Sequence, residues 1–254
     1  MSVKKSHKRF KIVFISIFTL LLILVSGCSI YLADYSKALP EATDYLSRQG
    51  SVTVTEIDEG LFLDGEGTDY AYIFYPGAKI EYTAYLPLLY DLAESGVDVF
   101  LVRMPFNLAI FGSSKAGGIL SSYQYDHWYI SGHSLGGAMA ASYAASLVNA
   151  GNVSIDGLIL LAAYPTKDLS ESDLRVLTIY GSEDHVLNMS RLESGRAYMP
   201  QDAQYIEIEG GNHAQFGDYG TQVGDGVATI SATEQWQLTV DKIAEWVFGG
   251  SNAT

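Results

Sequence analysis

The chain predicts an α/β fold: a mostly parallel central sheet with helices on both faces and no large cap. Three observations predict it. Unbroken apolar runs of strand length, such as YAYIFY at 70–75, alternate with segments of helical spacing, as expected of strands buried on both faces. A single serine, Ser134, stands between glycines in GHSLGG (132–137), directly after the apolar run WYIS at 128–131. Only YPTKDLSESDL (164–174) separates two of the apolar runs, too short a connection to carry a helical cap.

The first thirty residues read as an address rather than as part of the fold. A basic start is followed by an apolar run from Ile12 to Val25 and then by Ser26-Gly27-Cys28. That layout is an export signal or a membrane anchor, with the basic end held in the cytoplasm. A fully released protein is one alternative; Val25-Ser26-Gly27-Cys28, however, resembles a bacterial lipobox, and the resemblance implies cleavage before Cys28 and lipidation of its thiol, with an uncleaved anchor from about Ile12 to Leu32 as the other tethered reading. Either places the folded domain outside the cytoplasmic membrane and tethered to it. Cys28 is the only cysteine of the 254 residues, which excludes an internal disulfide. Residues 31–50 read as a short polar spacer or helix, and residues 51–250 as one domain.

Within that domain SVTVTEI (51–57) alternates in period two, and GLFLDG (60–65) is its expected hairpin partner. The run at 70–75 stops at Pro76-Gly77. Tyr85, Leu88, Leu89 and Leu92 recur at helical spacing and the segment closes on Gly96. VDVFLV (97–102) is the next strand. The small-residue segment GAMAASYAASLVNAG (137–151) is a helix, and GLILLAA (157–163), RVLTIYG (175–181) and QYIEIEG (204–210) are three further strands. Ser231 with Glu234 forms a capping box, and Trp236, Val240, Ile243 and Val247 stripe the last helix before Gly249-Gly250.

Charge narrows the function. The net charge is −14; five of the fifteen Lys and Arg precede residue 12 and no acid precedes Asp34, so the remainder carries ten cations against 29 acids. A body of that sign repels nucleic-acid phosphates. The acids at Asp218 and Asp225 lack the alternating carboxylates of a calcium loop, and no paired histidine spacing suggests zinc. No metal or cofactor is expected.

The glycines beside Ser134 have a physical purpose. A strand that turns sharply into a helix strains the residue at the turn, and side chains two positions away would collide. The hydroxyl then projects from the carboxyl edge of the sheet, where ligands gather, above the positive end of a helix. A serine nucleophile needs a base, and the base needs a carboxylate. His213, in the glycine-rich loop EGGNHAQFG, and Asp184, in IYGSEDHV, each follow a strand. Glu183, Asp168 and Asp173 remain alternative acids, and a structural role for His213 stays open. His7, His127, His133 and His185 are placed less well: in the leader, at the far end of the serine strand, inside the turn, and beside the acid.

In order, GHSLGG, GSEDHV and GGNHAQFG resemble the nucleophile, acid and histidine loops of the α/β-hydrolase superfamily, from about Ser51 to Phe248. The chain is similar to its compact, lidless branch related to dienelactone hydrolases and small carboxylesterases, although dienelactone hydrolases proper use cysteine where this chain has Ser134. The resemblance implies an α/β-hydrolase fold with Ser134, Asp184 and His213 as catalytic residues. The second oxyanion donor must be Gly77 or Ala78, because Pro76 has no N–H; the resemblance favours Ala78 together with Leu135. Met104, Phe106 and Phe111, in the loop after 97–102, are expected to wall a substrate pocket. The expected activity is hydrolysis of a small-molecule carboxylic ester. An acyltransferase or peptidase acting on envelope components, and a non-catalytic binding protein on the same scaffold, are the alternatives.

Overall fold

The computed structural model describes residues 2–151 and 155–249; Gly250, at the expected end of the last helix, lies outside them, as do the side chains of residues 1–10 and 12. The chain forms two compact units that meet between Tyr35 and Ser36. The first is one helix, α1 (Ser2–Ala33). Its stretch Val13–Ala33, 21 residues of mean hydropathy 2.6, is long and apolar enough to cross a membrane. Cys28 is an exposed residue on it. Ser29 Oγ donates to the Val25 carbonyl at 2.9 Å, which internalises that hydroxyl within the helix.

The second unit is built on an eight-stranded sheet: β1 (Thr53–Ile57), β2 (Gly60–Asp64), β3 (Tyr70–Tyr75), β4 (Asp98–Val102), β5 (His127–His133), β6 (Gly157–Leu161), β7 (Arg175–Gly181) and β8 (Gln204–Ile208), in the spatial order 1-2-4-3-5-6-7-8. β2 runs antiparallel to β1 and β4, and all other pairs are parallel. The hairpin expected from 51–65 forms, with Thr53 opposite Asp64 and Ile57 opposite Gly60.

The parallel strands are apolar throughout because both faces are covered. Tyr72, Phe74, Val99, Leu101, Ile159, Leu161, Leu177 and Ile179 enter one core; Ala71, Ile73, Tyr75, Phe100, Val102, Ile130, Leu158 and Leu160 enter the other. Successive residues of a strand point to opposite faces, so an unbroken run feeds two cores. The first core is capped by α3 (Leu86–Glu94) and α7 (Ala232–Gly249), which pack on each other. The second is covered by α4 (Ala116–Ser122) and α5 (Leu135–Asn149), whose buried Ala140, Ala141, Ala144 and Ala145 let α5 lie close to the sheet. Gly96 turns the chain out of α3 with φ +98°. Ser231 Oγ accepts from Glu234 N–H at 3.1 Å and starts α7.

Residues 36–47 are docked on this unit. They contain α2 (Pro40–Thr43) and one 3₁₀ turn (Asp44–Ser47). Ser36 N–H donates to Lys79 O and accepts from Glu81 N–H through its carbonyl, both at 2.8 Å. Ala42 is fully buried, and Tyr45 packs edge-on against Tyr90 with centroids 5.2 Å apart. The short helix α6 (Met189–Gly195) follows β7. The connection from Ala162 to Leu174 contains no helix, so the sheet edge there carries no cap.

Candidate active site

Ser134 occupies the turn from β5 into α5 with φ 53° and ψ −122°, a strained conformation for a residue with a side chain. The neighbouring glycines make that turn possible. A Cβ on Gly132 would lie 2.5 Å from the Gly136 carbonyl carbon, and one on Gly136 would lie 2.1 Å from the Tyr75 carbonyl oxygen. Backbone therefore touches backbone between β3, β5 and the first turn of α5. Ser134 N–H donates to Leu161 O at 2.9 Å, which pins the turn to β6.

Asp184 and His213 meet beside it. His213 Nδ1 lies 2.8 Å from Asp184 Oδ2, with 2% of the histidine side chain and none of the aspartate side chain exposed. The other carboxylate oxygen, Oδ1, accepts from Val186 N–H at 2.9 Å and Leu187 N–H at 2.7 Å. These two backbone donors satisfy the second oxygen of a buried carboxylate. With Asp184 an acceptor only, His213 Nδ1 carries the proton of this contact and Nε2 is left as the basic nitrogen. Ser134, Leu135 and His213 line one cavity of about 350 Å³.

Two residues beyond the expected set organise this region. Asp225 holds the histidine loop to the acid loop. Its carboxylate accepts from Ala214 N–H at 2.8 Å, Gly226 N–H at 2.9 Å, and His213 and His185 N–H at 3.3 Å each. Sequence reasoning weighed this acid only as a metal ligand, and nothing local marks it as a backbone acceptor. Among the described residues no group of three or more His, Cys, Asp or Glu is arranged to hold a metal.

Tyr85 is the second. Its hydroxyl accepts from Gly77 N–H at 3.0 Å and lies 2.8 Å from His133 Nδ1. Burial, with Tyr219 nearby, pushes the phenol well above its ordinary value, so it stays protonated and donates to His133. Burial and the adjacent His213 hold His133 well below the ordinary histidine value, so its ring is neutral with the proton on Nε2. That edge faces the His213 backbone but makes no hydrogen bond of good geometry. The two imidazoles pack with centroids 4.5 Å apart.

This network bears on the expected oxyanion donors. Gly77 N–H is committed to Tyr85, whereas Ala78 N–H has no acceptor among the described residues. Leu135 is the first residue of α5, where no preceding turn supplies an acceptor. Lys79, next in the loop, has φ 57°, and its N–H donates to Asn107 O at 2.8 Å.

The loop after β4 is placed differently from expectation. Met104 is buried in the core beneath α5. Phe106 and Phe111 are 59% and 58% exposed and pack edge-to-face on each other, centroids 5.8 Å apart. None of the three lines the cavity of Ser134. Its walls come instead from α5 and from the loops after β6 and β7: Ala138, Met139, Ala162, Ala163, Val186 and Leu187 make the apolar part. Of the alternative acids, Asp168 is exposed and bonds Ser170, and the Glu183 carboxylate has a single hydrogen bond among the described residues, from Ser182 Oγ at 3.4 Å. His127 starts β5 and pairs with Asp156 at 3.4 Å, at the opposite end of the sheet from Ser134.

The sequence pattern of the alpha/beta hydrolase family matches residues 71–237, which span the serine turn, the acid loop and the histidine loop. The chain belongs to the alpha/beta hydrolase family. Solved structures of several esterases share its fold. An esterase/lipase from an uncultured bacterium aligns over 89% of this chain and 97% of its own, with TM-score 0.60 and 11% identity. The hyperthermophilic esterase from the archaeon Pyrobaculum calidifontis aligns over 83% and 90%, with TM-score 0.56 and 14% identity. Carboxyl esterase 2 from the mycorrhizal fungus Tuber melanosporum aligns over 83% and 89%, with TM-score 0.56 and 12% identity. At such identities the likeness is one of fold. No curated protein matches the chain.

Proposed function

We propose that this α/β hydrolase is a serine hydrolase that cleaves carboxylic esters through an acyl-enzyme. The observation that carries the proposal is the buried Asp184–His213 contact at 2.8 Å, opening onto the cavity that Ser134 also lines. Ser134 Oγ attacks the ester carbonyl as His213 Nε2 takes its proton. The imidazolium is stabilised by Asp184, which also fixes the tautomer. The N–H groups of Leu135 and Ala78 receive the oxyanion, aided by the start of α5. His213 returns the proton to the leaving alkoxide, and the alcohol departs. Water, deprotonated by His213, attacks the acyl-enzyme, and the acid leaves as Ser134 regains its proton. The steps require no cofactor.

A fluorophosphonate probe tests the nucleophile: it labels the wild-type chain at Ser134 and fails to label Ser134→Ala. Hydrolysis of 4-nitrophenyl esters of increasing chain length, with Ser134→Ala as control, tests the reaction. Absence of both labelling and hydrolysis in the folded protein overturns the reading in favour of a binding protein. Acyl transfer to an added alcohol at the expense of hydrolysis makes it a transferase.

We also propose that the N-terminal segment exports the domain to the outer face of the cytoplasmic membrane, where cleavage before Cys28 leaves it tethered through a lipid on that residue. Support comes from the 21-residue apolar stretch and the small residues ahead of Cys28. Intact mass of the membrane-extracted protein decides. A chain beginning at a diacylglyceryl Cys28 supports the lipoprotein; an intact α1 in the membrane replaces it with an anchor; a soluble released domain overturns the tether.

A further inference from the structure

The cavity of Ser134 is lined by apolar residues and by a polar rim of four side chains. That rim consists of Tyr164 and Thr166 after β6, and Asn188 and Arg191 at the start of α6. Among the described residues Arg191 is the only permanently charged one lining the cavity, and no aspartate or glutamate lines it. This is unusual for a body with ten cations against 29 acids.

The Arg191 guanidinium has no ion pair among the described residues. It reaches toward the rim, its Nη1 3.4 Å from the Tyr164 hydroxyl and its guanidinium carbon 6.0 Å from that ring's centroid. Its backbone is fixed by Asn188, whose Oδ1 accepts from Arg191 N–H at 3.0 Å. Asn188 Oδ1 is thereby occupied, and its amide N–H₂ remains as a donor. Thr166 Oγ1 donates to Ala138 O at 3.4 Å, so the guanidinium, the amide and the Tyr164 hydroxyl are the donors of an edge suited to a carboxylate or phosphate.

Resting on the serine-hydrolase reading above, we infer that the ester substrate carries an anionic group, a carboxylate or a phosphate, which Arg191 receives. The cavity volume corresponds to a sphere about 9 Å across. The anion therefore sits within a few bonds of the scissile carbonyl, on the acyl or the alcohol part. A long uncharged acyl chain fits neither that length nor that rim.

Matched pairs of esters test this. On the acyl side the pair is 4-nitrophenyl hexanoate against the mono-4-nitrophenyl esters of adipate and of 5-phosphonopentanoate, which separate carboxylate from phosphate. On the alcohol side it is phenyl butyrate against 4-carboxyphenyl butyrate. In one of the pairs, the anionic-to-neutral ratio of kcat/KM is expected to fall about 10-fold in Arg191→Gln, the value of one charge-assisted contact at an exposed rim. The ratio returns toward wild type in Arg191→Lys and shrinks with added salt. Lys242→Gln, a cation paired with Glu245 on α7, serves as the control and leaves the ratio unchanged. Fluorophosphonate labelling of each variant verifies that its site is folded. Hydrolysis of every ester with a ratio indifferent to Arg191 overturns this inference and leaves the serine hydrolase standing. No hydrolysis and no labelling in the wild type removes both.

Discussion

Replacing Asp184 by asparagine isolates the electrostatics of the site from its shape. Asp184 Oδ1 takes two backbone N–H groups, from Val186 and Leu187, at 2.9 and 2.7 Å. An amide at this position keeps its oxygen there, since an –NH₂ facing two donors would leave all three groups unpaired. Its nitrogen must then face His213 Nδ1, where Oδ2 now lies at 2.8 Å. An amide N–H donates, so Nδ1 becomes an acceptor and the imidazole proton moves to Nε2. The nitrogen that should accept the Ser134 proton is thereby blocked. In a triad this error of tautomer lowers kcat about 10⁴-fold, or about 5.5 kcal/mol of transition-state stabilisation. The folded state loses less: two N–H groups exchange an ionic acceptor for a neutral one, about 1–2 kcal/mol together, which a domain of ordinary stability survives. The assay is steady-state hydrolysis of 4-nitrophenyl butyrate, with fluorophosphonate labelling rate and urea midpoint measured on the same preparation. A folded Asp184→Asn protein retaining more than a tenth of wild-type kcat would refute the proposed role of the Asp184–His213 pair.

Three other outcomes are expected. Gly136→Ala drives a methyl to 2.1 Å from the Tyr75 carbonyl and 2.4 Å from that of Pro76; a cost of about 3 kcal/mol lowers Tm by roughly 6–12 °C, read by thermal circular dichroism. His133 is held neutral in the fold but protonates near pH 6.5 when unfolded. Its contribution is therefore complete above about pH 6.5 and is lost as pH falls toward the depressed folded value, at no more than about 1.4 kcal/mol per pH unit. Urea titrations across pH 5–7 should show that slope, and it should flatten in His133→Gln. A chain beginning at Ser51 loses the Ser36–Glu81 hydrogen bond, the buried Ala42 and the Tyr45–Tyr90 contact, and its Tm should lie several degrees below that of a chain beginning at Ser36.

Sequence alone determined the order of the strands along the chain, the sharp turn at Ser134, and the placing of Asp184 and His213 each just after a strand. These are local facts. A strand buried on both faces must be apolar at every position, a tight strand–helix turn must have glycine where backbone meets backbone, and a capping serine must precede its helix. The pattern of residues over five to fifteen positions carries all of that, as β7 illustrates: it begins at Arg175 and ends at Gly181, as its sequence indicates.

Tertiary structure decided everything that depends on residues distant in the chain. Asp225 became the anchor of the histidine loop because the chain returns past residues 185 and 213–214, and only there do unpaired N–H groups converge on it. Tyr85, which in sequence looks like one more apolar position at the start of a helix, links Gly77 to His133 because β3 and β5 lie side by side. The aromatic loop after β4 is rich in side chains suited to a pocket, but its backbone turns left-handed at Phe106 and Asn107, and the two phenylalanines stand on the surface while the loops after β6 and β7 enclose the cavity. Composition indicates what a segment is able to pack against. Which segment closes on a given site follows from the crossing of the chain in space, and no window of neighbouring residues encodes that.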